Sequence, residues 1–438
     1  MPCFPLDPCW LGSRKIEHGS WFYVDCNLCS CYSGEKTCSK RQCGEMWGMV
    51  VSYGMNLEGL FESSDSRKDS AFIALPCNCP AHYVPVCGRN GRTYPSSCLA
   101  KCAGLGDSDF EFGSCASIDP CKDNTCSEEE ECIPSRRVCL SLLHRPCPQY
   151  ECVKKQNTCS EMGYDPVCDT EVQEHPNTCY LVQYGKKLAY RGHCIQNCKT
   201  EGEVCGINGD TYPSECAAIA DRVTVDYHGP CTSVGRITEG LSEYMRRSHQ
   251  EKVCWNNVKC PSLPRSGCLA SIPPGACCPI CAGALRLLYS QKQVERSLYV
   301  ISELDTKAKD NIMTVQSILS HLERHIQVAE CSVYGMLSVE MDLYVLVKAR
   351  DRLVNGDDVV HPPSELQMEA CAAEAEKLAR MIQGGSPRLF SEVPLSTLTT
   401  AKVVTLVANS SKGLNSGYFG TVFVCIVINY LIHLQLKR

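Results

Sequence analysis

Apolar residues in the last third of the chain recur at the spacings of helices and strands. Between residues 310 and 326 they repeat with a helical period, and between 333 and 347 they alternate as in strands. A further helix is predicted from Ser364 to Ile382, where a capping serine opens an Ala-, Glu- and Leu-rich run that two glycines end. This pattern predicts a small α+β domain, in which a Cys331–Cys371 disulfide would link helix to strand.

The rest of the chain is dominated by cysteine. Of the 36 cysteines among 438 residues, all but three lie before residue 282. This density indicates an oxidising compartment and a scaffold of small disulfide-bonded modules. The formal net charge is −6 and there is no long basic run, so nucleic acid is not an expected partner. No cofactor and no metal site is predicted.

The start of the chain does not look like the start of a secreted protein. Residues 1–9 have neither a basic region nor an apolar segment, so no signal peptide is recognised. The first module also holds an odd number of cysteines, which leaves Cys3 or another without a partner. We therefore expect the chain to be the C-terminal part of a larger secreted protein.

Residues 77–115 carry six cysteines in a specific ladder. Seven residues separate Cys79 from Cys87, and the next intervals are ten, three and twelve. The ladder, with Cys-Gly-Arg-Asn-Gly-Arg-Thr-Tyr at its centre, resembles a Kazal domain, a family of serine protease inhibitors. Spacing alone allows fifteen pairings. The resemblance implies Cys77–Cys102, Cys79–Cys98 and Cys87–Cys115.

Two local elements are predicted inside this ladder. Asn90-Gly91 is expected to supply two residues with positive φ for a tight hairpin turn. Leu99–Ala103 is expected to form one short helix. A domain of about forty residues buries too little apolar surface to fold without such disulfides.

The Kazal resemblance also implies an inhibitory loop, which here is Pro80, Ala81, His82 and Tyr83 within the segment that ends at Val86. A protease would bind this loop as it binds a substrate, and the flanking disulfides would limit the entropy lost on binding. The primary specificity position falls on Ala81, whose methyl group suits a shallow elastase-like pocket.

One residue departs from the family pattern near this loop. Kazal inhibitors commonly brace the loop with an asparagine two residues before the fourth cysteine of the ladder. The first copy has Ser96 at this position, the third has Ser214, and the second has Asn177.

Two further copies of the Kazal pattern follow, and both are incomplete. The second lacks the fifth cysteine and has eight residues between Cys159 and Cys168, while the third lacks the first and fifth cysteines. Neither loop is expected to present a substrate-like backbone. Cys152 is expected to pair with Cys139 or Cys147. The other implied disulfides are Cys159–Cys179, Cys168–Cys194, Cys198–Cys216 and Cys205–Cys231.

Other cysteine-rich segments resemble further extracellular modules, and the predicted fold class is a multidomain array of such modules followed by the α+β domain. The predicted domains are a von Willebrand C-like or pacifastin-like module at 1–44, a linker at 45–76, a complete Kazal unit at 77–115, a follistatin EGF-like segment at 116–151, degenerate Kazal units at 152–194 and 195–231, a linker helix at 232–253, a von Willebrand C-like half module at 254–283, the α+β domain at 284–404 and an anchor signal at 405–438.

The end of the chain has the order of a glycosylphosphatidylinositol attachment signal. Small residues at Asn409, Ser410 and Ser411 are followed by a polar spacer and a mostly apolar tail. The alternative is a transmembrane helix, but the apolar run is short and interrupted. Asn409 or Ser410 is the predicted attachment residue, so the cell membrane is an expected partner through a lipid anchor.

Enzymatic activity is not predicted. The chain has no Gly-x-Ser-x-Gly and no His-Glu-x-x-His motif. His321 and His325 lie one helical turn apart and could form a metal pair, but no third ligand is evident, and a solvated helix surface is the favoured interpretation.

Taken in order, the modules resemble a family of cell-surface cysteine-rich glycoproteins with Kazal motifs. The resemblance implies a protein on the outer face of the plasma membrane that restrains matrix metalloproteinases and sheddases, and so limits matrix breakdown, invasion and vessel sprouting. Serine proteases are a second class of expected partner. Two hypotheses stay open: a protease inhibitor, and a non-inhibitory scaffold or Wnt co-receptor that uses its modules for docking.

Overall fold

The computed structural model describes a string of small modules that precede one larger α+β domain, which is the predicted fold class. Within the described part of the chain, no helix is both long enough and apolar enough to cross a bilayer. The described residues are 7–24, 27–39, 79, 82–122, 126–141, 147–155, 158–195, 202–235, 254, 258–263, 268–304, 313–353, 360–404 and 407–408.

The first module consists of a hairpin and a three-stranded antiparallel sheet. Cys9–Cys31 joins the two sheets, and Cys29–Cys38 links neighbouring strands of the larger one. Its strands are β1 (Cys9–Leu11), β2 (Arg14–Ile16), β3 (Trp21–Val24), β4 (Asn27–Tyr32) and β5 (Glu35–Cys38), with β4 central.

The three Kazal units share one fold, in which a hairpin, a short helix and a third strand follow one another and the first strand is central. Each helix begins after a residue whose side chain accepts a hydrogen bond from the amide three positions on, as N-caps do. Their elements are β6 (Val86–Gly88), β7 (Thr93–Tyr94), α1 (Ser97–Cys102) and β8 (Phe110–Phe112); β11 (Val167–Asp169), β12 (Glu174–His175), α2 (Thr178–Gln183) and β13 (Leu188–Arg191); and β14 (Val204–Gly206), β15 (Thr211–Tyr212), α3 (Glu215–Ala220) and β16 (Val225–His228).

The hairpin turn of the first unit differs from the prediction. Gly91 has φ of +76°, but Asn90 does not have positive φ. The amide of Gly91 donates to the carbonyl of Gly88 at 2.8 Å, and the Asn90 carboxamide oxygen accepts from the Arg92 amide at 3.4 Å. The turn closes on one left-handed residue, as a type I turn followed by glycine does, so only Gly91 needs the freedom that glycine provides.

The EGF-like segment corrects the expected partner of Cys152. Strand β9 (Glu130–Pro134) pairs with β10 (Tyr150–Lys154) so that Cys132 lies opposite Cys152. Both side chains can then be reached from the loop before β9, and Cys152 pairs with Cys126 rather than with Cys139 or Cys147. The three disulfides are Cys121–Cys132, Cys126–Cys152 and Cys139–Cys147, the last of which closes the connection between the strands.

The C-terminal domain is a four-stranded antiparallel sheet with helices on one face. Its strands, in order across the sheet, are β20 (Cys331–Leu337), β21 (Leu343–Ala349), β19 (Gly283–Tyr289) and β24 (Leu398–Val403). Ser364 starts its longest helix with a capping box, and Gly384 ends it, as predicted. The segment predicted as strands is a hairpin that turns at Ser338–Asp342. The elements are β19 (Gly283–Tyr289), α4 (Gln291–Leu304), α5 (Val315–Glu323), β20 (Cys331–Leu337), β21 (Leu343–Ala349), β22 (Arg352–Leu353), β23 (Val360–His361), α6 (Glu365–Gln383), α7 (Pro387–Phe390) and β24 (Leu398–Val403).

The two faces of this sheet are covered by different parts of the chain. Helix α6 packs on one face, where Cys331–Cys371 joins it to β20 as predicted. On the other face, Ile207 and Val223 of the third Kazal unit pack with Tyr344. The third Kazal unit is thus docked against the domain.

The cysteines between the third Kazal unit and this domain are all in disulfides within the described residues. Strands β17 (Leu269–Ser271), β18 (Ile280–Cys281) and β25 (Val407–Ala408) form a small sheet beside them. The disulfides are Cys254–Cys277, Cys260–Cys278 and Cys268–Cys281.

The first module covers the edge strand β24. The Ser30 hydroxyl donates to the Thr399 hydroxyl at 2.7 Å. Glu35 accepts from the hydroxyl of Ser290 and from the amide of Lys292. An otherwise open sheet edge is therefore protected by another module.

Candidate functional site

The loop of the first Kazal unit is held between two disulfides. Cys79–Cys98 and Cys87–Cys115 link its two ends to the body of the unit, and both are pairs that the Kazal resemblance implies. His82 and Val84 are exposed. The Val84 amide donates to the carbonyl of Pro95 at 2.9 Å, which fixes the carboxyl side of the loop.

Tyr83, between these two exposed residues, points into another module. Its hydroxyl donates to the backbone carbonyl of Gly209 in the third unit at 2.8 Å. Its ring packs against the cluster of the Cys205–Cys231 disulfide, Tyr227 and Cys278. Burial raises the pKa of Tyr83, with smaller contributions in the same direction from nearby Asp210 and Tyr227. No local sequence pattern predicts this contact, because its partners are 126 positions apart in the chain.

Among the described residues, no hydrogen bond joins the Ser96 side chain to this loop. Its hydroxyl oxygen accepts a hydrogen bond from the Leu99 amide at 3.3 Å and so serves as the N-cap of α1. A serine offers a single hydroxyl, whereas an asparagine offers an acceptor and two donors. The described part of the first loop therefore depends on the backbone contact of Val84 and on the contact of Tyr83 with the third unit.

The second loop keeps the register of the first on its carboxyl side. Asp165, three residues before Cys168, donates its amide to the Pro176 carbonyl at 3.0 Å, as Val84 donates to Pro95. The additional residue is accommodated at the other end, where the amide of Met162 donates to the carbonyl of Cys159 at 3.2 Å and closes a turn. By this register, Met162 corresponds to Ala81 and Tyr164 corresponds to Tyr83.

Asn177 braces the second loop, but in a form that differs from a substrate. Its side-chain amide donates to the carbonyls of Met162 at 2.7 Å and Gly163 at 3.2 Å, while its oxygen caps α2 at the Tyr180 amide. A protease attacks the carbonyl carbon of the scissile peptide bond and polarises its oxygen. In a substrate-like loop, that carbonyl oxygen must therefore face outward. Here the Met162 oxygen faces the unit's own side chain, in agreement with the expectation that this loop lacks a substrate-like backbone.

Glu174 stabilises the second loop, and sequence reasoning missed this residue. Its carboxylate accepts from the Tyr164 hydroxyl at 3.1 Å and from the Cys194 amide at 3.2 Å, and its other neighbour is His193 at 3.1 Å. The His193 contact lowers the pKa of Glu174 most, and burial opposes it. An alignment of the three units could have identified Glu174, because Thr93 and Thr211 occupy the equivalent position in the other two. Each threonine hydroxyl accepts a hydrogen bond from the amide of the last cysteine in its unit.

Several predicted residues lie outside the described part of the chain. They are Pro80 and Ala81 of the first loop, Asn409 and Ser410 of the anchor signal, and Cys3, Cys77 and Cys198. Cys102 and Cys216, the implied partners of Cys77 and Cys198, are disulfide-bonded. The remaining implied pairs in the second and third units are present as Cys159–Cys179, Cys168–Cys194 and Cys205–Cys231.

His321 of α5 and His325, two residues beyond the end of that helix, do not form a solvated helix surface. His325 is buried and its Nε2 lies 3.0 Å from a carboxylate oxygen of Glu392. His321 places Nδ1 2.7 Å from the Ser317 carbonyl, which fixes a proton on that nitrogen. Across the described residues, no group of three His, Cys, Asp or Glu side chains is arranged to bind a metal ion.

Family models match five segments of the chain. Residues 75–115, 154–194 and 193–231 match the Kazal-type serine protease inhibitor domain. Residues 117–151 match the RECK-like EGF-like 1 domain. Residues 7–43 match the RECK fibronectin type I module, a different class from the von Willebrand C-like or pacifastin-like module that the sequence suggested.

Two relatives that match nearly the whole of this chain share one name. The chain is 43% identical over 432 residues to the reversion-inducing cysteine-rich protein with Kazal motifs of Gallus gallus, which covers 98% of this chain and 40% of that protein. The Homo sapiens protein of the same name is 42% identical over 418 residues, covering 95% of this chain and 39% of its own length. The chain thus spans about two fifths of the relatives it matches.

A shorter match comes from another inhibitor. The serine protease inhibitor dipetalogastin of Dipetalogaster maximus is 40% identical over 53 residues, which is 12% of this chain and 15% of that protein. By these matches, the chain is a homologue of the reversion-inducing cysteine-rich proteins with Kazal motifs, and three of its modules belong to the Kazal-type inhibitor domains.

Proposed function

We propose that this chain is part of an extracellular protease inhibitor that acts at the outer face of the plasma membrane and is not an enzyme. The observation that carries the proposal is the match of three segments to the Kazal-type serine protease inhibitor domain. The disulfide-linked modules support an oxidising, extracellular setting. The biological consequence would be restraint of matrix metalloproteinases and sheddases, and with it less matrix breakdown and vessel sprouting.

Two classes of protease are proposed as targets, and they need different surfaces. A serine protease would bind the first loop with Ala81 in its primary specificity pocket and His82 on the carboxyl side of the scissile bond. A metalloproteinase is proposed to be met elsewhere, since a Kazal loop is shaped for the cleft of a serine protease and not for that of a zinc enzyme. A wider face built from several docked modules is the proposed contact for that class.

Membrane attachment is proposed to occur through a glycosylphosphatidylinositol anchor on Asn409 or Ser410. The support is the order of small residues, polar spacer and apolar tail in the sequence. Cells expressing the full chain behind a secretory signal peptide should release it on treatment with phosphatidylinositol-specific phospholipase C. Retention after that treatment would contradict the anchor, and substitution of both residues by bulky ones should prevent surface display.

The second candidate function is a non-inhibitory scaffold or Wnt co-receptor. The contact of Tyr83 with Gly209 favours it, because a loop residue is used there to dock one unit on another. The inward-facing carbonyl of Met162 favours it for the second unit. Under this alternative, the Kazal units hold the array in one shape for a binding partner.

A titration separates the two functions. The disulfide-intact full chain would be tested against elastase-like, trypsin-like and matrix metalloproteinase panels, with Ala81→Asp as the matched variant. Inhibition of an elastase-like enzyme that Ala81→Asp abolishes would support the serine protease arm. Metalloproteinase inhibition that is indifferent to Ala81→Asp would support a separate surface. If no protease is inhibited at micromolar concentrations of the chain, the inhibitor proposal is wrong and the scaffold function is the one supported.

A further inference from the structure

The first and third Kazal units meet at the carboxyl side of the first loop. Tyr83 lies two residues beyond Ala81, and its hydroxyl is 2.8 Å from the Gly209 carbonyl at the turn of the third unit. A second contact lies close by, where the buried hydroxyl of Thr93 donates to the buried carboxylate of Asp210. Two side-chain contacts from one unit therefore hold the turn of the other against it.

This arrangement obstructs the way in which a protease would have to approach. A cleft that takes the loop like a substrate contacts residues on both sides of the bond at risk, so it needs the space around Tyr83. That space is occupied by Gly209 and by the Cys205–Cys231 disulfide. The neighbours His82 and Val84 remain exposed, so the obstruction is limited to the carboxyl side of the loop.

The second unit provides an internal comparison. Tyr164 occupies the position of Tyr83, but its side chain is 67% exposed and its hydroxyl donates to Glu174 of its own unit. A tyrosine at this position therefore does not have to enter a neighbouring module. The burial of Tyr83 is a property of the junction between the first and third units.

We infer that the third Kazal unit covers the first unit's loop, so that the chain is a latent inhibitor whose loop reaches a serine protease only when this junction opens. The expected gain of inhibition rests on the proposed function. The covering of the loop by the third unit is tested separately, by the accessibility of Tyr83. Once the junction opens, the loop would bind in the cleft of a serine protease with a shallow primary pocket.

The test uses the full chain and two substitutions at one residue. Asp210→Ala removes the acceptor of the Thr93 hydroxyl and should open the junction, while Asp210→Asn keeps an acceptor oxygen of the same reach and should keep it closed. Tyr83→Phe, which removes only the hydroxyl bonded to Gly209, is a second opening variant in case Asp210→Ala does not fold. Tyrosine nitration followed by mass spectrometry reports access to Tyr83, with Tyr164 as the exposed internal standard.

We expect Tyr83 of the parent chain to be nitrated at least ten-fold more slowly than Tyr164, and Asp210→Ala to remove most of that difference. Inhibition of an elastase-like protease should strengthen by about ten-fold in Asp210→Ala and in Tyr83→Phe, as one lost hydrogen bond allows. Asp210→Asn should match the parent, and adding Ala81→Asp should abolish the gain.

Equal nitration of Tyr83 and Tyr164 in the parent chain would overturn the cover, and so would a parent chain that inhibits as strongly as both opening variants. A shielded Tyr83 that Asp210→Ala releases without inhibition of any serine protease would leave the cover standing. That result would instead contradict the serine protease arm of the proposed function.

Discussion

Cys331 at the start of β20 and Cys371 within α6 are bonded across 40 positions of sequence, and both are buried. The bond fixes the longest helix of the C-terminal domain to the edge of its sheet. The third Kazal unit packs on the opposite face of that sheet. The position of the helix and the docking of the third Kazal unit therefore depend on the same four strands.

Replacing both cysteines by serine should destabilise this domain by about 4 kcal/mol, because the unfolded chain regains the freedom of a long loop. Hydrogen exchange of the β20 and β21 amides would measure the change in their opening free energy. Removing Cys121 and Cys132 in the same way is a suitable control, since that bond lies in the EGF-like segment and should leave the sheet's amides unchanged. A loss below about 1 kcal/mol at β20 would contradict the expectation.

A buried charge cluster on the Kazal-facing side of the sheet makes a second prediction. The Arg286 guanidinium contacts the carboxylates of Glu340 and Asp342, the latter at 2.6 Å, and all three side chains are buried. Arg286→Met would leave two carboxylates without their cation, which costs roughly 3–5 kcal/mol. Chemical denaturation followed by the circular dichroism of the sheet would measure the loss.

The matched control is Arg350→Met. Arg350 lies 3.6 Å from Glu323 but is more than half exposed, so its removal should cost less than about 1 kcal/mol. Similar losses for the two arginines would show that burial does not set the strength of the Arg286 cluster.

Sequence reasoning succeeded where spacing encodes the fold and failed where distant modules meet. The Kazal ladder implied Cys79–Cys98 and Cys87–Cys115, and a capping serine, an Ala-, Glu- and Leu-rich composition and two terminal glycines located α6 nearly to its ends. The partner of Cys152 was wrong, because strand register placed it within reach of Cys126 and not of its nearer neighbours. The contact of Tyr83 with Gly209 depends on how two modules dock, and nothing local in either segment encodes it.

Asn177 supports a third prediction, since it has two separable roles. Its oxygen caps α2, and its nitrogen holds the carbonyls of Met162 and Gly163. Asn177→Ser should keep the cap, as Ser96 does in the first unit, and lose only the brace. We expect little change in the unit's overall stability but faster hydrogen exchange and proteolysis near Met162.

Asn177→Ala should lose both roles, with a further cost of about 1 kcal/mol from the missing cap. Mass spectrometry of limited proteolysis products would compare the two variants. If Asn177→Ser cleaves no faster than the parent chain, the turn between Cys159 and Met162 holds the loop without the brace.

Asp226 of the third unit predicts a dependence of stability on pH. Its carboxylate accepts hydrogen bonds from the amides of Cys277 at 2.8 Å and Cys278 at 2.7 Å. Asp226 is buried at this junction between the third unit and the disulfide-linked segment that precedes the C-terminal domain. Burial raises the pKa of Asp226 to about 7, although the two amides act in the opposite direction. The folded state then keeps a proton that the unfolded chain releases near pH 4. Stability from this group is therefore present below about pH 4 and is lost as the pH rises through about 7.

Asp226→Asn cannot titrate, so it should remove this part of the pH profile. The opening free energy of the third unit's amides, measured by hydrogen exchange between pH 4.5 and 8, should fall with pH in the parent chain by up to about 1.4 kcal/mol per pH unit. The variant should have a flatter profile, and Glu161→Gln, at an exposed carboxylate, should keep the parent slope. Superimposable profiles for Asp226→Asn and the parent would mean that the two amide donors hold Asp226 ionised throughout, and that this junction does not respond to pH.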